Sequence, residues 1–316
     1  MKHILFIDPI EKLNPKKDST LMLATTMKKA GIEVYLLFEK DFYLSNKLNP
    51  EFQVYDFSSE FYEDGCYLKS FQLGALSLQQ ISIKDIIHMR IDPPFDTRYL
   101  RYLWMLRFYQ EQGIRVMNSP DGILKYNEKL HAYAQPSSLA SYVGSSVSEF
   151  MKFAELLKKE KHKEMILKPL DLYQGIGVEK ILLDRSDLQS KFEEKIKENN
   201  GPVVAQPFCK EVTSGEIRSL YFKGIELGSI LKVPKKGEFL ANIAQGADFH
   251  AVELTKSVKE ECNRICAGLL LDGVDLVAFD IMGEHVSEVN ITCPGLLVEV
   301  SFAHKKNLAA NMLQLL

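Results

Sequence analysis

No run of the 316-residue chain is apolar enough to cross a bilayer, which takes about 20 consecutive residues. The apolar stretch in MKHILFIDP is too short for a secretory signal and passes straight into a strand, so no export segment is expected. Cys66, Cys209, Cys262, Cys266 and Cys293 form no CxxC pair. An odd cysteine count in a chain this long points to reduced thiols and a cytoplasmic location. The seven histidines show no HExxH or comparable spacing. Charge of one sign is also lacking: 39 Lys and Arg against 42 Asp and Glu give a net −3. That leaves no basic field for nucleic acid or an anionic membrane. There is no internal repeat and no low-complexity segment. What is present, 46% hydrophobic and 26% charged residues, is the make-up of a soluble globular protein of two or three domains.

The most informative stretch is VAFDIMGEHVSEVN, Val277 to Asn290. Two apolar runs flank Gly283 and read as a hairpin with a three- to five-residue turn. A turn centred on Glu284 puts Asp280 opposite Glu288, and alternation puts Glu288 and Asn290 on one side. Cross-strand neighbours lie about 5 Å apart, so the three side chains converge as an all-oxygen cluster. Adjacent carboxylates repel and resist burial. A hard cation relieves both problems, and Mg²⁺ with substrate phosphates suits one or two carboxylates plus an amide oxygen. The solvated face of an edge hairpin gives the same pattern, although Asp280 inside the apolar VAFDIM argues against it.

The chain opens as an α/β unit: strand Ile4 to Ile7, a polar loop, a helix from Asp18 or Ser19 to Ala30, then strand IEVYLLF. Ligands of open α/β sheets bind at the carboxyl edge of the strands. Lys17, Asp18 and Ser19 are therefore site candidates, with plain helix capping the alternative for the last two. Residues 40 to 80 read as short strands and an irregular insertion. Strand DIIHMR ends on Arg90, which suits a carboxylate ligand or a structural salt bridge. A helix over Tyr99 to Gln112 and strand IRVMN bring the first domain to an end near Ser119-Pro120.

NEKLHAYA is a short helix carrying Lys129, and Ser146-x-x-Glu149 is a capping-box start for FMKFAELLKKE. EMILKPLDLYQGIGVEKILL reads as two strands, with Lys168 at the end of the first. Gly175 and Gly177 in the connecting loop suit either an anion or a plain turn. A helix from Ser186 to Asn199 precedes strand GPVVAQPF, and a hairpin turns at Lys223-Gly224. Pro234 to Ala247 is a long aperiodic loop, of the kind that covers active sites. In the helix Lys256 to Leu271, Cys262 and Cys266 stand at i,i+4. Val258, Cys262, Ile265 and Leu269 form an apolar stripe there, which favours core packing over metal ligation. A last helix is expected from Lys305 to Leu315.

The order DPI…KKDS, MR-x-DPPFD, NEKL, ILKPLD, AQ-x-F, GE-x-R, AN-x-A, FDI-x-G and SE-x-N-x-T-x-P resembles the bacterial glutathione synthetases, which are ATP-grasp carboxylate–amine ligases. The likeness runs from Asp8 to about Pro294. It implies an α/β protein: an N-terminal open α/β domain over 1–119, then an ATP-grasp fold of two α+β subdomains, a small one over 120–205 and a large one over 206–316. It further implies an ATP-dependent reaction in which the carboxylate of γ-glutamylcysteine becomes an acyl phosphate and is attacked by glycine. By the same resemblance, Lys129 and Lys168 hold ATP phosphates, Gln206 and Phe208 line the adenine, and Glu216 reaches the ribose side. Arg218 faces the phosphoryl group, Asn242 steadies the acyl phosphate, and Lys232 is counted with them as catalytic. Asp280, Glu288 and Asn290 bind Mg²⁺, or Mn²⁺ in its place. Arg90, Lys17, Asp18 and Ser19 line the peptide side. The partners implied are small molecules and further copies of the chain in a homo-oligomer, with neither nucleic acid nor membrane.

Several positions depart from the family pattern. Leu172, Tyr173 and Gln174 replace part of a glycine-rich phosphate loop. Leu240 and Lys232 stand where arginines are usual, and Lys232 lacks bidentate geometry. Val298 stands where an arginine grips substrate. These changes leave open a ligase for another acid and amine, or an ATP-binding regulator with little catalysis.

Overall fold

The computed structural model describes every residue except Leu48, Tyr173, Gln174, Phe239, Ala244 and Gln245, and its strands form three sheets. The first holds β1 (Lys2–Ile7), β2 (Glu33–Phe38), β3 (Glu51–Phe61), β4 (Leu68–Gln80), β5 (Ile86–Arg90) and β6 (Arg115–Met117), in the order β4-β3-β2-β1-β5-β6. Its parallel centre, β2-β1-β5-β6, is apolar because both faces are covered. Helices α1 (Ser19–Lys29) and α2 (Thr97–Glu111) flank it, begun by Asp18 and Asp96, whose carboxylates accept from Leu21 and Tyr99 N–H groups. Residues 51–80 form one long antiparallel hairpin rather than short strands and an irregular insertion. Strand β4 lies at the sheet edge with most of its residues exposed or half-buried, so no one-sided apolar alternation marks it.

The second sheet holds β7 (Tyr142–Gly144), β8 (Glu164–Pro169), β9 (Glu179–Leu182) and β10 (Val203–Pro207), ordered β7-β10-β8-β9 and antiparallel throughout. One face is covered by α5 (Val147–Lys159) and α6 (Leu188–Asn199), whose Phe150 and Phe192 rings stack at 3.9 Å. Ser146 caps α5, but Glu149 pairs with Lys152 instead of completing a capping box. Helices α3 (Pro120–Lys125) and α4 (Glu128–Tyr133) lie outside this layer. Gly122 of α3 meets Val274, and Ala132 of α4 joins the core of the third sheet.

That third sheet has the order β13-β12-β11-β14-β15, built from β11 (Glu216–Phe222), β12 (Ile225–Val233), β13 (Asp248–Val252), β14 (Leu276–Met282) and β15 (His285–Asn290). Lys223 and Gly224 both have positive φ, the two-residue turn that matches strand twist. Helix α7 (Lys256–Leu271) lays Val258, Cys262, Ile265 and Leu269 against Phe279, Ile281 and Val289. The two cysteines are therefore core residues, and each buried Leu or Ile beside them stabilises the fold by roughly 2 kcal/mol. The opposite face carries α8 (Leu297–Ala303) and α9 (Leu308–Leu313); α9 lies within the helix expected from Lys305 to Leu315, and α8 is a further helix before it. Leu220 and Phe222 share one core there with Leu297, Leu308, Leu21 and Leu5, so the first and third sheets are fused.

Asn118 completes that fusion: its Nδ2 donates to Leu276 O (2.7 Å) and Ile291 O (3.0 Å), and its Oδ1 accepts from Asp275 and Leu276 N–H groups. No helix among the described residues is long and apolar enough to cross a membrane.

Candidate functional site

A cavity of about 510 Å³ is lined by residues from all three sheets. The β14–β15 hairpin supplies its acidic wall, by a route the sequence does not reveal. The turn has two residues, Gly283 and Glu284, not three to five, and Gly283 takes the positive φ that its first position requires. A regular ladder would then set Asp280 against Ser287. The register instead shifts by one, so Asp280 pairs with Glu288 and Ala278 with Asn290. Ser287 Oγ donates to Asp280 O at the bulge (3.0 Å), and Asn290 Nδ2 donates to Asp280 Oδ2 (3.0 Å).

Cations surround these acids. Lys232 Nζ lies 2.9 Å from Asp280 Oδ1 and 2.7 Å from Glu216 Oε2, and Arg218 lies 3.0 Å from Asp280 Oδ2. Burial pushes the Asp280 carboxyl up, but Arg218 and Lys232 outweigh it and hold the group below the usual range. Lys232 is held above its ordinary range: burial works against its charge, and the two carboxylates overcome that. Burial raises Glu216 despite its contact with Lys232. Lys129 Nζ sits 2.9 Å from Glu288 and donates to Leu172 O (2.7 Å). Lys168 lies over the Tyr133 ring, 5.5 Å from its centroid. Burial pulls its ammonium down to about 8, against the opposing charge of Glu288.

The far side of the cavity comes from the first sheet. Arg90 is buried and makes no salt bridge among the described residues; its Nε donates to Thr20 Oγ1 (2.9 Å) and its NH2 to Pro294 O (3.0 Å). Asp18 caps α1 and still lines the cavity, its carboxyl raised by burial to about 6. Ser19 Oγ accepts from Leu297 N–H (3.0 Å), and Lys17 stands at the cavity edge. Gln206 donates to Ser141 Oγ (2.8 Å), and Lys180 stands over the Phe208 ring at 4.6 Å. Asn242 and Leu240 line the wall, Leu240 against Gly175. Every candidate residue thus borders one cavity: Lys17, Asp18, Ser19, Arg90, Lys129, Lys168, Gln206, Phe208, Glu216, Arg218, Lys232, Asn242, Asp280, Glu288 and Asn290.

Val298 does not border it. This side chain is buried in the shared core of the first and third sheets, and its neighbour Glu299 lines the cavity instead. Tyr173 and Gln174 lie outside the described residues. Sequence reasoning also passed over Glu128, whose Oε1 accepts from the Ile291 and Thr292 N–H groups and from Thr292 Oγ1. That carboxylate ties the start of α4 to the end of β15 and so sets Lys129 beside Glu288. Its position immediately before Lys129 in NEKL was the available signal.

Two family models match successive parts of the chain, the prokaryotic glutathione synthetase N-terminal domain over residues 1–123 and the ATP-grasp domain of the same enzymes over 128–305. The chain belongs to the prokaryotic glutathione synthetase family. A glutathione synthetase of Parasynechococcus marenigrum is 30% identical over 310 residues, covering 98% of this chain and 96% of the relative. One from Coxiella burnetii is 27% identical over 299 residues, covering 92% and 88%. Among solved structures, the D-cycloserine synthetase DcsG superposes with a TM-score of 0.66 at 13% identity, over 99% of this chain and all of that one. The ATP-grasp ligase PsnB, complexed with its minimal precursor, gives 0.63 at 15% identity over 99% and 97%. At such identities the two structures speak for the fold alone. As a member of the glutathione synthetase family, the protein is an ATP-dependent ligase that forms a carbon–nitrogen bond.

Proposed function

We propose that the protein makes glutathione from γ-glutamylcysteine, glycine and ATP through an acyl phosphate. The observation that carries this reading is the cluster at β14–β15, where Asp280 meets Lys232 and Arg218 while Glu288 meets Lys129, all bordering the cavity that Lys168 also lines. A carboxylate is a poor electrophile, and phosphorylation gives it a leaving group. Phosphoryl transfer then depends mostly on positioning and charge neutralisation. In this reading Lys129 and Lys168 hold the ATP phosphates, Gln206 and Phe208 border the adenine, and Glu216 reaches the ribose side. Arg218 and Lys232 face the transferring group, and Asn242 steadies the acyl phosphate. Arg90, Lys17, Asp18 and Ser19 receive the peptide-like acid.

The residues present also fit a divalent cation. No three His, Cys, Asp or Glu residues among those described stand close enough to hold a metal unaided. Asp280, Glu288 and Asn290 make an oxygen-donor set that suits Mg²⁺, or Mn²⁺, completed by phosphate and water. Around the cavity seven acids (Asp18, Asp92, Glu128, Glu216, Asp280, Glu288, Glu299) already outnumber six cations (Lys17, Arg90, Lys129, Lys168, Arg218, Lys232). Nucleotide phosphates bring negative charge that this set does not offset, and a bound divalent ion supplies the balance.

A second acid and amine pair is favoured by one observation: Leu240 is apolar at the cavity wall and Val298 is withdrawn into the core. Incubation with ATP, Mg²⁺, γ-glutamylcysteine and glycine is expected to yield ADP and glutathione. ATP binding without either product removes the glutathione assignment, and phosphate release across an array of acids and amines then identifies the pair used.

A further inference from the structure

Tyr133 is not part of the cavity lining, yet its ring is what meets Lys168 there. The Lys168 ammonium lies 5.5 Å from the centroid of that ring, within the roughly 6 Å over which a ring face attracts a cation. Lys168 makes no hydrogen bond and no salt bridge among the described residues. Lys129, Lys232 and Arg218, by contrast, each pair with a carboxylate. A ring carries no net charge, so it holds an ammonium in place without neutralising it.

The two partners belong to different cores. Lys168 stands on β8 in the four-stranded layer, whereas Tyr133 closes α4 and packs against the core of the third sheet. Glu128 fixes the start of α4 to β15, and Tyr133 follows Lys129 by four residues on the same helix face. One face of one short helix thus carries both the lysine that meets Glu288 and the ring that meets Lys168. A lysine stem is long and flexible, and a ligand that must order it loses affinity in doing so. The Tyr133 hydroxyl is buried with no hydrogen-bond partner among the described residues, so the contact is made by the ring face alone.

We propose that Tyr133 is a positioning residue: its ring presets the Lys168 ammonium, without neutralising it, for the anionic phosphates of the bound nucleotide. This rests on the reading that Lys168 holds those phosphates.

Calorimetry of ATP binding to the full chain, with Mg²⁺ present, tests the proposal through the electronics of the ring. Tyr133→Phe, followed by fluorinated phenylalanines at position 133, keeps the ring and nearly its volume. Each fluorine withdraws electron density from the face that attracts the cation. ATP affinity is expected to fall stepwise, to about tenfold below Tyr133→Phe for the fully fluorinated ring. Tyr133→Leu, which removes the ring, is expected to lose as much. In a Lys168→Met background the same series is expected to be flat, since no ammonium is left to hold. A packing role alone gives equal affinity along the series, which overturns the proposal, as does a decline that persists with Lys168→Met. Lys168→Met by itself separates the two readings. Weakened ATP binding there, beside a flat fluorination series, counts against Tyr133 alone; unchanged binding removes the phosphate reading and the proposal with it.

Discussion

Asp280 stands across the β14–β15 ladder from Glu288 because the ladder passes over Ser287. The pairing places one carboxylate against Arg218 and Lys232 and the other against Lys129, so the hairpin divides its acids between two sets of cations. Glu288→Ala should lower kcat about a hundredfold or more, the scale seen when one preorganised electrostatic contact is lost. The melting temperature should move little, since Glu288 is only half-buried. Steady-state kinetics across a Mg²⁺ titration checks this; near-normal turnover would take Glu288 out of the metal assignment.

Nucleotide affinity should fall as the pH rises through about 8, the value to which burial draws Lys168 from 10.5. A lysine whose folded value is depressed favours the neutral form. Its contribution to stability is complete above the unfolded value and is lost as the pH falls through the folded one. At neutral pH the protein therefore carries this charge at a cost in stability, which bound phosphates relieve. Calorimetry of ATP binding between about pH 7 and pH 9 should show weakening with proton uptake near the midpoint. Lys168→Arg should flatten the profile, and an equally flat profile in the unmodified protein would remove Lys168 from phosphate contact.

Asn118→Ala should destabilise the fold by about 3 kcal/mol, since it leaves four buried or half-buried backbone groups without their side-chain partner. Urea denaturation reads the loss directly. An unchanged midpoint would mean that water satisfies those four groups equally well.

Much of this was visible in the chain, and the exceptions have physical causes. The α7 stripe declared itself because one face of that helix is buried and the other is not, whereas α1 was marked by its Asp18 cap and closing glycine and the β11–β12 hairpin by its Lys223-Gly224 turn. Strand β4 is largely exposed, so nothing in its pattern distinguishes it from loop. Helix α8 follows Leu296, which is left-handed and supplies no side-chain cap, so it carries no start signal. The Ser287 bulge is equally silent: a longer turn and a shorter turn plus a bulge predict the same pair, and the expected pairing arose by the second route. Asp280, Glu288 and Asn290 came from the alternation of a hairpin, and Lys17, Asp18, Ser19 and Arg90 from the carboxyl ends of strands, while the other candidates came from motif order. Glu299 escaped because whether position 298 or 299 meets the cavity depends on how α8 is rotated against the core.

The bonds of Asn118 and the core shared by α1, α8 and α9 join the two larger sheets, while the four-stranded layer keeps a separate core. The cavity therefore has a floor whose two halves share one core and a wall, the smaller layer, that does not. Groups held from the two halves of that floor keep a spacing set by side-chain packing.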